Sequence, residues 1–318
     1  MRSGLLEQMY TGTFFLRGQL IKIITLGIFI ALIFPDHSIS KERKQHLFAK
    51  GIKPEKLAGD FEFTEGPACD KKGNIFFTDQ PNNKIMKWST DYQLSTFVEN
   101  SGRANGMYFD KKGNLISCSD EKNELWSIAP NGQATVLVKD YQGKRLNGPN
   151  DLWIAPDGGI YLTDPFYKRP WWNFETQEQD GQHVYYLPPG ANQLIRVVSD
   201  LQQPNGIIGT PDGKYLYIAD IRGHKTWRYT IGTDGMLSEK FLFAEQGSDG
   251  MTIDNKGNIY LTGKGVTIYD SHGVLVEKIP VPENSTSNVC FGGRYHRLLF
   301  ITALKSIYGM KMKVKGVK

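Results

Sequence analysis

Six polar residues recur at matching points of a repeating unit: Glu65, Asn105, Asn150, Asn205, Asp249 and Asn288, spaced by 40, 45, 55, 44 and 39 residues. Each stands at the head of an apolar, strand-like run. Their side chains offer carboxylate and amide oxygens, the donors that hard cations take. Glu65, Asn150, Asn205 and Asp249 together give two carboxylates and two neutral amide carbonyls, with Asn105 and Asn288 completing the set. That mixture suits Ca²⁺, with Mg²⁺ or Mn²⁺ as alternatives. Two carboxylates sharing one narrow channel would repel each other without a cation between them. A channel that is simply polar and water-filled is the competing reading. No cysteine or histidine falls at any of the six positions, which argues against a thiolate or imidazole zinc site.

Other chemistry finds no support in the motifs. Gly247-Ser248-Asp249-Gly250 lacks the glycine spacing and strand-to-helix context of a nucleophile elbow. Gly263-Lys264-Gly265 lacks the third glycine and the following helix of a phosphate loop. His46, His183, His224, His272 and His296 are scattered and share no ligand spacing.

The elements that must position the six residues follow from what comes after each of them. A turn and a second strand follow most: Asp70-Lys71-Lys72-Gly73-Asn74 then Ile75 to Asp79, and Asp110-Lys111-Lys112-Gly113-Asn114 then Leu115 to Asp120. The pattern continues at Pro156-Asp157-Gly158-Gly159, Pro211-Asp212-Gly213 and Asp254-Asn255-Lys256-Gly257-Asn258. Two further strand-like runs complete each unit. Four short strands at a period of this length predict the blades of a β-propeller, an all-β fold. The last unit holds only three strands, from Val289 to Lys311, while an extra strand-like stretch from Glu55 to Phe63 precedes the first. A six-bladed ring in which this N-terminal strand completes the final blade leaves no open sheet edge. The third unit is the longest. Its excess lies in residues 165–183, a proline-broken stretch carrying Phe166, Tyr167, Trp171, Trp172 and Phe174, expected to sit as a lid on the rim.

Composition sets the wider bounds. The 318 residues are 40% hydrophobic and 12% aromatic with 34 glycines, enough apolar matter for a large β core. The net charge of +5 is mild, and the lysines at 41–44 and in the C-terminal tail read as solvated ends, so no nucleic-acid partner is expected. Three cysteines at unrelated positions, Cys69, Cys118 and Cys290, exclude a disulfide framework. Residues 1–40 differ in character. Arg17 and Lys22 precede the apolar run Ile23 to Phe34, and Ser38 and Ser40 fit a cleavage site. That predicts a secretory signal peptide, hence an exported, periplasmic or secreted protein, with Met9 an alternative start. An uncleaved run would instead anchor the chain to a membrane. Residues 41–53 then form a linker and 54–318 the propeller.

Five motifs in order carry a resemblance: Phe63-Thr64-Glu65-Gly66-Pro67, Arg145-Leu146-Asn147-Gly148-Pro149-Asn150-Asp151, Leu162-Thr163-Asp164-Pro165-Phe166-Tyr167, Pro204-Asn205-Gly206 and Ser248-Asp249-Gly250-Met251. Over about residues 54 to 310 the chain resembles the gluconolactonase, senescence marker protein and luciferin-regenerating enzyme superfamily, and within it the bacterial gluconolactonases. The resemblance implies a six-bladed propeller with one axial divalent cation (Ca²⁺, or Zn²⁺, Mg²⁺ or Mn²⁺ in its place) that opens sugar lactones. Glu65, Asn150, Asn205 and Asp249 would hold the metal, Asp249 would also activate water as general base, and Asn105, Arg145 and Tyr167 would contact the small-molecule lactone. Lys168 stands where that branch usually has glycine, which alters the loop after Tyr167. Two other readings fit the same residues. One is phosphotriester or aryl-ester hydrolysis, and the other a propeller that binds without catalysis.

Overall fold

Short apolar runs punctuated by Asx-type turns fold here as antiparallel strands in sequence order. In a computed structural model that describes residues 46–317, six four-stranded sheets are present, five of them built from four consecutive strands. The signal segment expected over residues 1–40 and residues 41–45 of the linker lie outside the described residues. Three of the turns repeat one device. Asp70 Oδ1 accepts the backbone N–H groups of Lys72 and Asn74, both at 2.8 Å, and Oδ2 accepts Asn74 Nδ2. Asp110 and Asp254 do the same with Asn114 and Asn258. Gly73, at φ +93°, supplies the left-handed residue that closes the loop.

The ring closes through its ends. The strand Glu55–Ala58 pairs antiparallel with Ser306–Lys311, giving the sixth sheet its fourth, outermost strand. The expected stretch Glu55 to Phe63 is not one strand, however. It breaks at Gly59-Asp60, where Asp60 takes φ +68°, and the chain crosses to the inner strand of the first blade. That crossing is fixed by Phe61 N donating to Lys305 O and Thr64 N to Leu304 O.

Apolar clusters fill the interfaces between neighbouring blades. Phe76 and Phe109 meet edge-on at 5.1 Å between blades one and two, and Tyr260 and Phe291 at 5.2 Å between blades five and six. Phe77 and Phe300 meet at 5.6 Å where the last blade joins the first. Each such pair contributes about 0.5–1.5 kcal/mol beyond its burial. The strand Ile75–Asp79 is buried along its whole length, whereas Leu94–Glu99 at the outer edge is largely exposed. Cys118 is fully buried, Cys290 buried and Cys69 half-buried, and none of the three is in a disulfide.

The inner strands explain the recurring glycine. A Cβ on Gly66 would stand 1.9 Å from the carbonyl oxygen of Asn105 in the next blade. Added to Gly250, it would stand 1.9 Å from Cγ of Asn288, and on Gly106, 2.5 Å from Asn150 O. Glycine is required at these places because one blade's backbone touches the next blade's axial residue. Gly106 N also donates to Asn150 O at 2.7 Å. Gly250→Ala should therefore force the fifth and sixth blades apart. A cost of about 1–3 kcal/mol corresponds to a Tm lowered by roughly 2–12 °C. Calorimetry showing an unchanged Tm would contradict this packing.

Candidate active site

All six recurring residues stand at the N-terminal ends of the innermost strands. Glu65, Asn105 and Asn205 lie within Thr64–Cys69, Ala104–Phe109 and Pro204–Gly209, and Asn288 opens Asn288–Gly292. Asn150 and Asp249 come two residues before Leu152–Ile154 and Met251–Ile253. In the first, second and fourth blades the ladder is interrupted beside the polar residue, with register shifts between Glu65 and Ala68, Ala104 and Met107, and Pro204 and Ile207. Such bulges re-aim a side chain out of the pleat. Five of the six residues are 6% exposed or less, so their polar atoms need partners within the protein.

Glu65 and Asp249 meet. Each carboxyl lies within the other's electrostatic reach, and burial raises both pKa values, Glu65 well above its ordinary value, with the Asp249 charge the next cause for Glu65. Glu65 Oε2 accepts Gly66 N at 2.6 Å and Asn288 Nδ2 at 3.1 Å. Asn205 donates through its amide nitrogen to Tyr167 Oη at 3.0 Å. Its Oδ1 is left buried without a partner, and Asn105 Oδ1 is likewise unpartnered.

This geometry fits a hard cation. Two carboxylates that cannot both ionise in isolation, beside an amide oxygen with no hydrogen-bond donor, are groups a divalent ion would satisfy together. Among the described residues no group of three or more His, Cys, Asp and Glu is arranged to hold a metal. The donor set here depends on amides as well as carboxylates. Asn288 is committed differently. Its Oδ1 accepts Val289 N at 2.8 Å while its amide nitrogen donates to Glu65. Asp249 also borders a cavity of about 990 Å³, shared with Ser248, Thr262, His224 and Lys264. A second cavity, of about 540 Å³, opens at the opposite ends of the inner strands and includes none of the six.

Residues 63–305 match the family described as SMP-30/Gluconolactonase/LRE-like region. The chain belongs to this family. It is 30% identical over 295 residues to the gluconolactonase of Zymomonas mobilis subsp. mobilis, covering 82% of each chain. The solved structure of a gluconolactonase from Xanthomonas campestris matches with a TM-score of 0.76 at 30% identity, over 81% of this chain and 88% of that one. A calcium-binding regucalcin from Agrobacterium tumefaciens, at 18% identity and a TM-score of 0.71, covers 84% of this chain and 96% of that one and shares the fold.

Among the residues that the family resemblance suggested for substrate, Asn105 lies on the inner strand of blade two and Tyr167 accepts a hydrogen bond from Asn205. Arg145 does not share their contacts. Its guanidinium lies 3.4 Å from the Phe174 ring centroid and pairs with Glu178 at 3.1 Å, and its backbone N–H donates to Glu178 as well. Arg145 thus fastens the aromatic loop. Asp151 was not singled out by the spacing, yet it is 6% exposed and its pKa is pushed up to about 8, first by burial, with the Asp249 charge adding to it. Its signal was present: the position after the axial residue is glycine in four blades, valine in the sixth and a carboxylate only in the third. Arg169 was also missed. Its positive charge reaches both Asp249 and Tyr167.

The raised carboxyls give a pH prediction with a definite sign. Burial holds Asp151 and Asp249 above their unfolded value of 3.8, so they stabilise the fold fully only below that value. That contribution is lost as pH rises through the folded pKa values, up to about 8 for Asp151. Chelator-treated protein should lose Tm from pH 4 to pH 8. Asp249→Asn and Asp151→Asn should flatten that slope, and a divalent cation should raise Tm more at pH 8 than at pH 5. Calorimetry finding the same slope in all three proteins would refute the assignment.

Proposed function

We propose that this chain hydrolyses sugar lactones with one divalent cation held at the axis. The observation that carries the reading is the burial of the Glu65 and Asp249 carboxyls within each other's electrostatic reach, beside the unpartnered Oδ1 of Asn205. Glu65, Asn150, Asn205 and Asp249 would hold the ion. The family membership and the gluconolactonase relatives support the substrate class, and the calcium-binding relative supports Ca²⁺ as the ion. When bound, the cation supplies Lewis-acid polarisation of the lactone carbonyl.

The protein's own groups provide the rest. Asp249, whose burial raises its basicity towards neutral pH, takes a proton from the attacking water. The water oxygen adds to the carbonyl carbon, the ring C–O bond breaks, and the proton passes to the departing ring oxygen to give the open hydroxy acid. Tyr167 fixes the Asn205 amide through its hydroxyl and thereby the direction of Oδ1. Tyr167 itself stays protonated, since burial pushes its pKa up to about 12. Asn150 and Asn205 add no negative charge, which keeps the site attractive to the lactone carbonyl oxygen. Export to the periplasm or medium belongs to the same proposal and rests on the sequence of residues 1–40. Mass spectrometry of the processed protein should place the new N-terminus at Lys41.

Glucono-1,5-lactone hydrolysis, followed by acid release, tests the chemistry. Asp249→Asn should lower kcat by about 10²–10⁴-fold, and Glu65→Gln should weaken binding of the ion. Full turnover after exhaustive chelation, or by Asp249→Ala, would end the reading.

A further inference from the structure

The loop 165–182 departs from the sixfold pattern, and so does the residue it grips. In blades one, three and four an aspartate ends the second strand and clasps two backbone N–H groups of the incoming chain. Asp79 takes Glu62 and Phe63, Asp164 takes Asn147 and Gly148, and Asp220 takes Gln202 and Gln203. Strand pairing places Ser119, opposite Ala104, at this point of blade two, just as Asp79 stands opposite Thr64 and Asp220 opposite Pro204. The second blade's carboxylate is one residue further on, at Asp120, where blade one has Gln80. Asp120 accepts no backbone N–H among the described residues. It accepts Gln80 Nε2 at 3.1 Å and meets Arg169.

Asp120 is 1% exposed, and a carboxylate that deep needs a cationic partner. Arg169 Nε lies 2.7 Å from Asp120 Oδ2, with its N–H off that line, so charge rather than a directed hydrogen bond holds the pair. Trp172 Nε1 donates to Asp120 O at 2.7 Å and pins the loop at the same residue. The Arg169 guanidinium stands 5.4 Å from the Tyr167 ring and 5.7 Å from Trp171, and its side chain is 20% exposed. A guanidinium has five N–H donors in a fixed fork, and one carboxylate can take two of them. Donors are therefore left over within the electrostatic reach of Asp249.

We infer that Arg169 is a substrate-contacting residue that recognises the hydroxyl groups of a polyhydroxylated lactone, and that Asp120 is the positioning residue that holds it in place. This rests on the lactonase reading of the same site. A site that hydrogen-bonds a substrate hydroxyl discriminates strongly against an analogue lacking it. Arg169 thus selects sugar lactones over plain aliphatic ones.

The test compares glucono-1,5-lactone with δ-valerolactone, which has the ring ester and no hydroxyls. Arg169→Met should lower kcat/KM for glucono-1,5-lactone by about ten- to a hundredfold, mainly through KM, and cost δ-valerolactone, which feels only the loss of the Arg169 charge near Asp249, a clearly smaller factor. Asp120→Asn should act in the same direction, and the double variant should be no worse than Arg169→Met alone, because Asp120 acts through Arg169. Equal losses on both lactones would assign the pair a purely structural role and overturn the inference, as would no loss on either. Calorimetric titration with glucono-1,5-lactam, which is not hydrolysed, separates this idea from the catalytic one. Weakened lactam binding by Arg169→Met supports the contact even if the wild-type protein turns over neither lactone. Unchanged binding, or none by the wild-type protein, defeats it.

Discussion

The arrangement depends on two carboxylic acids being forced together in a place with little water. Glu65 comes from the first blade and Asp249 from the fifth, and ring closure brings their carboxyls within each other's electrostatic reach. Burial disfavours charge on both, and the negative charge of Asp249 further discourages ionisation of Glu65. Either a shared proton or a divalent cation relieves that pair. Neutral amides around them add donors and acceptors without adding charge. The unpartnered oxygen of Asn205 stays poised because Tyr167 occupies its amide nitrogen.

The scaffold serves this contact through close approach at the axis. Glycines at 66, 106 and 250 let one blade's inner strand press against the next blade's axial residue, so the six polar side chains form a tight inner wall. Bulges in three inner ladders turn those side chains out of the pleat. The outer strand Glu55–Ala58 sets the circumference by joining the last blade to the start of the first. Phe76, Phe77, Tyr260 and their partners then fill the spaces between blades.

Function lies where the repeat is broken. Asp151 takes the position that four other blades give to glycine, adding a third carboxyl near the pair. Ser119 replaces the clasping aspartate, and Asp120 beside it turns to the loop. That loop sends Tyr167 to Asn205 and Arg169 towards Asp249, while Arg145 holds its far side through Phe174 and Glu178. An ideal sixfold ring would offer a symmetric channel; these departures give it a front, a wall and a charged corner.

Periodicity alone determined the blade count, the axial identity of Glu65, Asn105, Asn150, Asn205, Asp249 and Asn288, and the closing strand. These features repeat, and a repeat is written in local spacing and turn chemistry. The end of that closing strand at Ala58 was not legible, because the Gly59-Asp60 break takes its shape from hydrogen bonds to Leu304 and Lys305 at the other end of the chain. Nor did the motif around Arg145 tell that its guanidinium is spent on the loop. Only the tertiary structure decided which polar atoms are satisfied and which are left over. Asn288 and Asn205 are the same residue type at equivalent positions, yet the oxygen of one is occupied by Val289 and that of the other is unpartnered. Burial and partners drawn from distant blades set that difference, and no spacing in a sequence encodes them.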